Sequence, residues 1–387
     1  MSKPVVVVMY EYFFPGYKAG GPIQSLVNMI TALQDRYEFK VVTTAYDLND
    51  TVPYNNVKVN QWNEVRLTAG SDAVSVWYAA PGKIPVSSMK QILTQARPDI
   101  IFINGLFTQW FAQPLWLYKL KRVKNVRIVV SPRGMLQPGA LQVKPFKKKV
   151  YLGLFKLAGM FRNIHWHATS ADEKTDIRRI IGEKAAVAVA ANIPRRPVAA
   201  ITYPEKTPGE LRLVYLSIIT EKKNLLLLLQ LLQQQVQPIS LSIYGPVKEE
   251  AYWQLCEQAI RQLPANITVN YGGNIEPDRV QQTLQQYHAF ISLTKGENFG
   301  HALYESLSVG RPVITSYFTP WNELQQKQAG FNVDIHDSHS VSAALGEMLA
   351  MDKEKLGKQC EGAYQLAKDY YFGQNFKEEY TRLLADS

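Results

Sequence analysis

Apolar and polar positions alternate in blocks whose lengths and periods predict most of the chain. Val5 to Met9 is an unbroken apolar run of strand length, and comparable stretches stand at Phe39–Thr43, Val74–Tyr78, Ile100–Ile103, Val126–Val130 and Ile164–Ala168, with a weaker one near Val57. Between them lie helical periods: Gly21 to about Asp35, with Leu26, Met29, Ile30 and Leu33 on one face, then Val86–Ala96 and Gln109–Lys121. Strands alternating with helices predict a parallel sheet covered on both faces. Asn192 to Gly209 interrupts the rhythm with prolines at 194, 197, 204 and 208, a density that suits neither a helix interior nor a central strand. Alternation resumes with strands Leu211–Ser217, Ile239–Tyr244 and Ile267–Val269, and with helices Lys222–Gln235, Val247–Leu263 and Pro277–Tyr287. An amphipathic helical tail runs from Lys353 to Leu384. The expectation is an α/β protein of two tandem Rossmann-like, doubly wound domains, 1–200 and 205–369, with a ligand cleft between them.

One stretch of the second half carries chemistry as well as pattern. Ala289 to Leu293 reads as a buried strand, Thr294 to Gly300 as a polar turn, His301 to Val309 as a helix stopped by Gly310, and Pro312 to Thr315 as the next strand. Glu297 sits in the turn and Glu305 in the helix. In open α/β sheets ligands bind outside the carboxyl ends of the strands, and a helix start offers N–H groups to a phosphate. Two glutamates at this spacing read by themselves as a pair of solvated carboxylates. The run E-N-F-G-x-x-x-x-E followed by S-x-G-R-P-V-I, however, resembles the donor-site motif of the family-four retaining glycosyltransferases, glycosyl transferases group 1. The resemblance implies that Glu297 contacts hydroxyls of a donor sugar and that Glu305 holds the nucleotide ribose. It also implies that the backbone at Asn298, Phe299 and Gly300 approaches the sugar and diphosphate. It covers nearly the whole chain, and implies the GT-B type of architecture, in which a C-terminal helix, here 370–387, crosses back to the first domain.

The remaining candidates are weighed against that resemblance. Ser217 to Asn224 follows the first strand of the second half, where the family shows S-R-x-x-x-x-K-N, with Arg and Lys on the donor diphosphate. Lys223 and Asn224 match, whereas Ile218 stands in the Arg position. Lys222 and Lys223 read either as a solvated helix start or as a phosphate grip, since cations are disfavoured at a helix N-terminus unless an anion is present. Gly20 and Gly21, followed by Pro22, are not a G-x-G-x-x-G fingerprint, and no acidic residue stands where a dinucleotide ribose would need one. A turn with Pro at the first helical position explains them; the resemblance places them against donor phosphates. Arg133, after the strand Val126–Val130, suits a bidentate phosphate contact or a plain surface turn. Asn104, at another strand end, is expected to face an acceptor. His165 and His167 alternate about Trp166 and read as packing, while His301, next to Gly300, is a substrate-binding candidate. Glu297 and Lys223 are the catalytic candidates.

Composition adds limits. Apolar residues make up 46% and charged residues 20%, values of a globular chain with sizeable cores. Cys256 and Cys360 stand in no CxxC pair, so neither a disulfide framework nor a zinc site is indicated. The start lacks a signal-peptide pattern and no apolar run approaches the ~20 residues of a membrane span, so a cytoplasmic protein is expected. Residues 1–200 hold 27 Lys and Arg against 12 Asp and Glu, whereas residues 201–387 hold 16 against 21. Between Asp99 and Asp172 twelve cations meet no carboxylate, which points to an anionic partner, either a nucleic acid or the inner face of a membrane. Lys144 to Arg162 mixes lysines with Tyr151, Leu152, Leu154, Phe155, Leu157 and Phe161, a composition that suits an interfacial helix or a helix partly in the core. The expected activity is metal-independent hexosyl transfer from a nucleotide sugar to an acceptor hydroxyl, in polysaccharide or glycolipid assembly on a lipid-linked saccharide. No cofactor beyond the donor and no nucleic acid are expected. The alternatives are a sugar-nucleotide epimerase of the same architecture, or a nucleic-acid-binding protein using its basic first half.

Overall fold

The computed structural model describes residues 3–68, 70–119, 126–142 and 144–385. The chain divides into two compact units, Met1–Ile193 with Asn375–Ser387, and Pro194–Gln374.

The first unit is built on eight strands, β1 (Val5–Met9), β2 (Glu38–Thr44), β3 (Trp62–Arg66), β4 (Ala73–Ala79), β5 (Ile100–Asn104), β6 (Arg127–Ser131), β7 (Ile164–Ala168) and β8 (Ala186–Val189). They lie in the order β3-β4-β2-β1-β5-β6-β7-β8. Every pair is parallel except β3 with β4. Covered on both faces, β1 and β5 are nearly pure valine and isoleucine, as a central parallel strand requires. The weaker strand expected near Val57 is not formed. The edge strand begins at Trp62, whose indole packs edge-on against Trp77 of β4 with centroids 5.6 Å apart, an aromatic cross-strand pair that fixes the register. The helix from Gln109 is described to Lys119, and its expected last residues, Leu120 and Lys121, lie outside the described residues.

The second unit carries β9 (Leu211–Leu216), β10 (Ile239–Tyr244), β11 (Ile267–Tyr271), β12 (Ala289–Ser292), β13 (Val313–Ser316) and β14 (Gly330–Val333). All are parallel, in the order β11-β10-β9-β12-β13-β14. That is the doubly wound 3-2-1-4-5-6 order, and its direction reverses between β9 and β12. The helices that follow these two strands pack on opposite faces of the sheet, and the loops that lead to them carry Lys223 and Glu297. Arg311, fully buried, ties the sheet to the segment before it by donating to Thr202 O at 2.8 Å, Thr202 Oγ1 at 2.9 Å and Gln285 O at 2.7 Å. The helical tail is two helices, Lys353–Gly373 and Phe376–Leu384, broken at Gln374 and Asn375, and the second of them is part of the first unit. Strands β8 and β14 and the helices Ala171–Ile181 and Ser338–Ala350 complete the alternation in places where the sequence pattern predicts no element.

Candidate active site

Past β9 the chain bends through Ser217 and Ile218 into a short 3-10 turn, Glu221–Lys223, ahead of the helix Leu225–Leu232. Asn224 separates turn from helix in left-handed backbone, φ 60°, a region that asparagine tolerates better than most residues. Its Nδ2 donates to Leu293 O at 2.9 Å, just past the end of β12. Lys295 N donates to Lys222 O at 2.9 Å, so the two loops are joined by backbone as well. The result is that Lys223 Nζ donates to Glu297 Oε1, an ion pair between half-buried groups. This corrects the expected helix Lys222–Gln235. Asn224 breaks it, so Lys222 and Lys223 precede the helix instead of opening it, and Lys223 finds its anion on the neighbouring loop. Lys222 is exposed, yet its ammonium is held below the usual lysine range by desolvation, opposed by Glu297 and reinforced by Lys223.

The Glu297 loop is fixed from its other side. Glu297 N donates to Phe318 O at 2.9 Å, and Ser316 Oγ donates to Thr294 O at 2.6 Å. Phe299 turns its ring into an aromatic cluster with Tyr304, Trp321 and Tyr370, at centroid distances of 5.8, 5.6 and 5.4 Å. Trp321 Nε1 donates to Phe299 O at 2.7 Å. Phe299 is therefore an anchor, and only its backbone is left to face a ligand. His301 lies edge-on to that ring at 4.8 Å, and Asn298 stands between Glu297 and the anchor. Gly300 is left-handed, φ 79°, and a Cβ there would come within 2.6 Å of Leu303 Cδ1, so backbone and crowding by its own helix already demand glycine.

Glu305, in the second turn of the helix His301–Ser308, is buried. Its Oε1 lies 3.8 Å from Arg195 Nε, while Oε2 is buried with no hydrogen-bond partner. Burial raises its pKa above the usual carboxylate range, opposed by Arg195. Arg195 is further held by its Nη1 bond to Pro277 O at 2.6 Å. Sequence reading missed Arg195 because it stands in the proline-dense stretch, whose pattern predicts only a linker.

In the first unit Gly20 has φ 81° and caps the helix Gly21–Leu33, with Gly21 and Pro22 as its first residues. The loop before it is pinned by Asp47, whose carboxylate accepts from Tyr17 N at 2.7 Å, Lys18 N at 3.1 Å and Leu48 N at 2.8 Å. No sequence motif marks Asp47. Arg133, left-handed at φ 54°, donates from Nε to Asn104 Oδ1 at 2.6 Å and from Nη1 to Ser25 Oγ at 3.1 Å and to Asn192 Oδ1. Asn104, expected to face an acceptor, is buried and spends its oxygen on Arg133. His167 is packed as expected: buried, bonded to Ser131 Oγ and Ala190 O, with its pKa pushed down to about 3 by burial. Among the described residues no group of three or more His, Cys, Asp or Glu side chains is placed to hold a metal ion.

Two Rossmann-type units in tandem, the second wound 3-2-1-4-5-6 with polar loops at its switch point, are the GT-B fold of glycosyltransferases. Solved structures of that fold align along the whole chain. A sucrose-phosphate synthase from Thermosynechococcus elongatus aligns at TM-score 0.72 and 16% identity, over 99% of this chain and 98% of its own. The Anabaena protein HepE, solved with UDP and glucose, aligns at 0.72 and 15%, over 98% and 99%. WaaG, a glycosyltransferase involved in lipopolysaccharide biosynthesis, aligns at 0.65 and 12%, over 99% and 100%. Residues 204–365 match the family model of glycosyl transferases group 1. No curated protein sequence matches the chain.

Proposed function

We propose that the protein is a metal-independent, retaining glycosyltransferase that moves a sugar from a nucleoside diphosphate donor to an acceptor hydroxyl. The observation that carries this reading is Glu305 Oε2, a buried carboxylate oxygen without a partner, on the helix behind the Glu297 loop. Such an oxygen costs free energy until a donor reaches it, and a ribose diol supplies hydroxyl donors. Lys223 would then face the diphosphate and Glu297 the sugar. Breaking the anomeric C–O bond leaves its electron pair on the diphosphate. A preorganised ammonium at Lys223 and the N–H groups near Gly300 would stabilise that charge. The acceptor oxygen forms the new bond on the face that the diphosphate leaves, and its proton passes to the departing phosphate, so no separate base is required. Gly20, Gly21, Arg133, Asn298 and His301 are the further contacts of this reading, with the first unit on the acceptor side and the second binding the nucleotide sugar. The acceptor is a lipid-linked saccharide, met at the cytoplasmic face of an anionic membrane during surface polysaccharide or glycolipid assembly.

HepE, solved with UDP and glucose, makes UDP-sugars the first donors to try. Calorimetric titration with a panel of nucleoside diphosphates, followed by assay of slow donor hydrolysis, tests the reading. One nucleotide should bind clearly best. Lys223→Ala should lower donor hydrolysis by about 2–4 kcal/mol of transition-state stabilisation, roughly thirtyfold to nine-hundredfold. Absence of nucleotide binding, or hydrolysis indifferent to Lys223, overturns it. Release of an epimerised donor without an acceptor would instead favour the epimerase.

A further inference from the structure

The lysine-rich segment of the first unit resolves into a helix, Pro145–Leu157, with two unlike faces. One face joins the core. Phe155 is buried, its ring stacks on Tyr151 at 4.3 Å and on Phe111 at 5.6 Å, and Leu152 packs against the same cluster. Lys148 belongs to this face too: its Nζ donates to Ala140 O at 2.6 Å and lies 5.3 Å from the Phe107 centroid. The other face is apolar and bare. Phe146, Val150, Leu154 and Leu157 are 78%, 44%, 61% and 87% exposed. At 3.6 residues per turn their spacings of four, four and three put them in one stripe. By the same geometry Lys147 lies along one edge of that stripe, and Lys149 and Lys156 along the other; all three are exposed.

We propose that this stripe is a membrane-docking surface, with Phe146, Val150, Leu154 and Leu157 entering the acyl boundary of an anionic bilayer while Lys147, Lys149 and Lys156 meet its headgroups. An apolar stripe between two cationic borders is the form an interfacial helix takes. Charge complementarity selects the occupant. From residue 100 to residue 171 the chain has no carboxylate, so a second copy would oppose its own lysines across the stripe. The expectation for this segment is corrected in the process. Tyr151, Leu152 and Phe155 are core residues and Lys148 is internally engaged, so the docking set is smaller than the sequence suggested and includes Phe146 and Val150. The proposal deepens the membrane part of the reading above and is independent of its donor chemistry.

Cosedimentation of the full chain with phosphatidylcholine vesicles, with and without phosphatidylglycerol, at low and high salt, decides it. Binding should require the anionic lipid and weaken with salt. Changing Lys147, Lys149 and Lys156 together to Gln should lower the partition coefficient on the order of a hundredfold, from about fivefold per lysine. Phe146→Ser with Leu157→Ser should also release the protein, with its charge unchanged. Lys148→Gln should have little effect. Equal recovery from neutral vesicles, no recovery from either, or a triple Gln variant that binds like wild type overturns the proposal. Concentration-dependent dimerisation lost in Leu157→Ser would assign the stripe to a second copy. All substitutions are at exposed positions save Lys148, and unchanged melting verifies the fold. Nucleoside diphosphate titration of the same samples separates a failed docking surface from a failed donor site.

Discussion

Lys223 and Glu297 neutralise each other, and on the proposed reading a donor draws them apart. The carboxylate of Glu297 bonds to Lys223, whereas its backbone N–H, donating to Phe318 O, is what holds the loop. Glu297→Ala should therefore leave the fold intact and release Lys223 for phosphate. Turnover should fall about a hundredfold or more, while nucleoside diphosphate binds as tightly as before or tighter. Parallel kinetics and titration check this, and a joint loss of binding would count against the division of roles. Glu305 gives the opposite combination. Its pKa is raised in the folded state, so the protonated form is favoured by folding. The stability it lends is present below about pH 4.3, the unfolded value, and is lost as pH rises through the folded value. Folding thus disfavours the charged form of Glu305. Glu305→Gln should raise the urea midpoint at pH 7, flatten its acid-side pH dependence, and weaken nucleoside diphosphate binding. A lower midpoint with unchanged binding would make the residue structural.

Among the elements, Asn224 decides how the two switch-point loops meet. It supplies a left-handed backbone and a buried bond to Leu293 O, and two substitutions separate these. Asn224→Ala loses both, about 1–2 kcal/mol for the backbone and about 1 kcal/mol for the bond. Asn224→Gly restores the backbone alone and should recover the larger part in chemical denaturation, without recovering full activity. Asn224→Gly no more stable than Asn224→Ala would show that the backbone is not the cause. The strand runs were legible in the sequence because central parallel strands are apolar throughout, and so was the turn at Glu297, set between such a strand and a helical period. The break at Asn224 was not, since Leu225 to Leu232 continues a helical composition straight out of Lys222 and Lys223. Nor was the Arg195–Glu305 contact, which joins a proline-dense stretch to a helix 110 residues on; local pattern carries no information about it. The lysine helix was half legible. Composition gave its amphipathic mixture, but which aromatic faces a core is a tertiary fact, settled here by Phe111.

At the scale of the whole molecule, the chain's last helix is the clearest test of how the units depend on sequence distant from them. Phe376–Leu384 packs in the first unit with Tyr380, Leu383 and Leu384 buried. Polar bonds fix its register: Arg36 Nη1 to Thr381 Oγ1 at 2.7 Å, Ala191 N to Glu379 Oε2 at 2.9 Å and Arg127 Nη2 to Leu383 O at 3.2 Å. The Tyr380 ring lies 5.3 Å from that of His167 on β7, inside the sheet's cover. Tyr380→Ala opens a cavity there, and large aromatic truncations of this kind cost about 3–5 kcal/mol. The loss belongs to the first unit, within which Tyr380 packs, whereas Lys223, Glu297 and Glu305 stand in the second. Hydrogen exchange should therefore show lost protection in β1, β5, β6 and β7 of the variant, with β9 and β12 unchanged. Acid should sharpen the contrast. His167 is neutral in the fold with its pKa at about 3, so the stability of the first unit falls as pH drops below about 6.5 toward that value. In Tyr380→Ala, water entering the cavity should raise the His167 pKa and narrow that window. Protection lost equally from β9 and β12 would mean that the two units unfold as one.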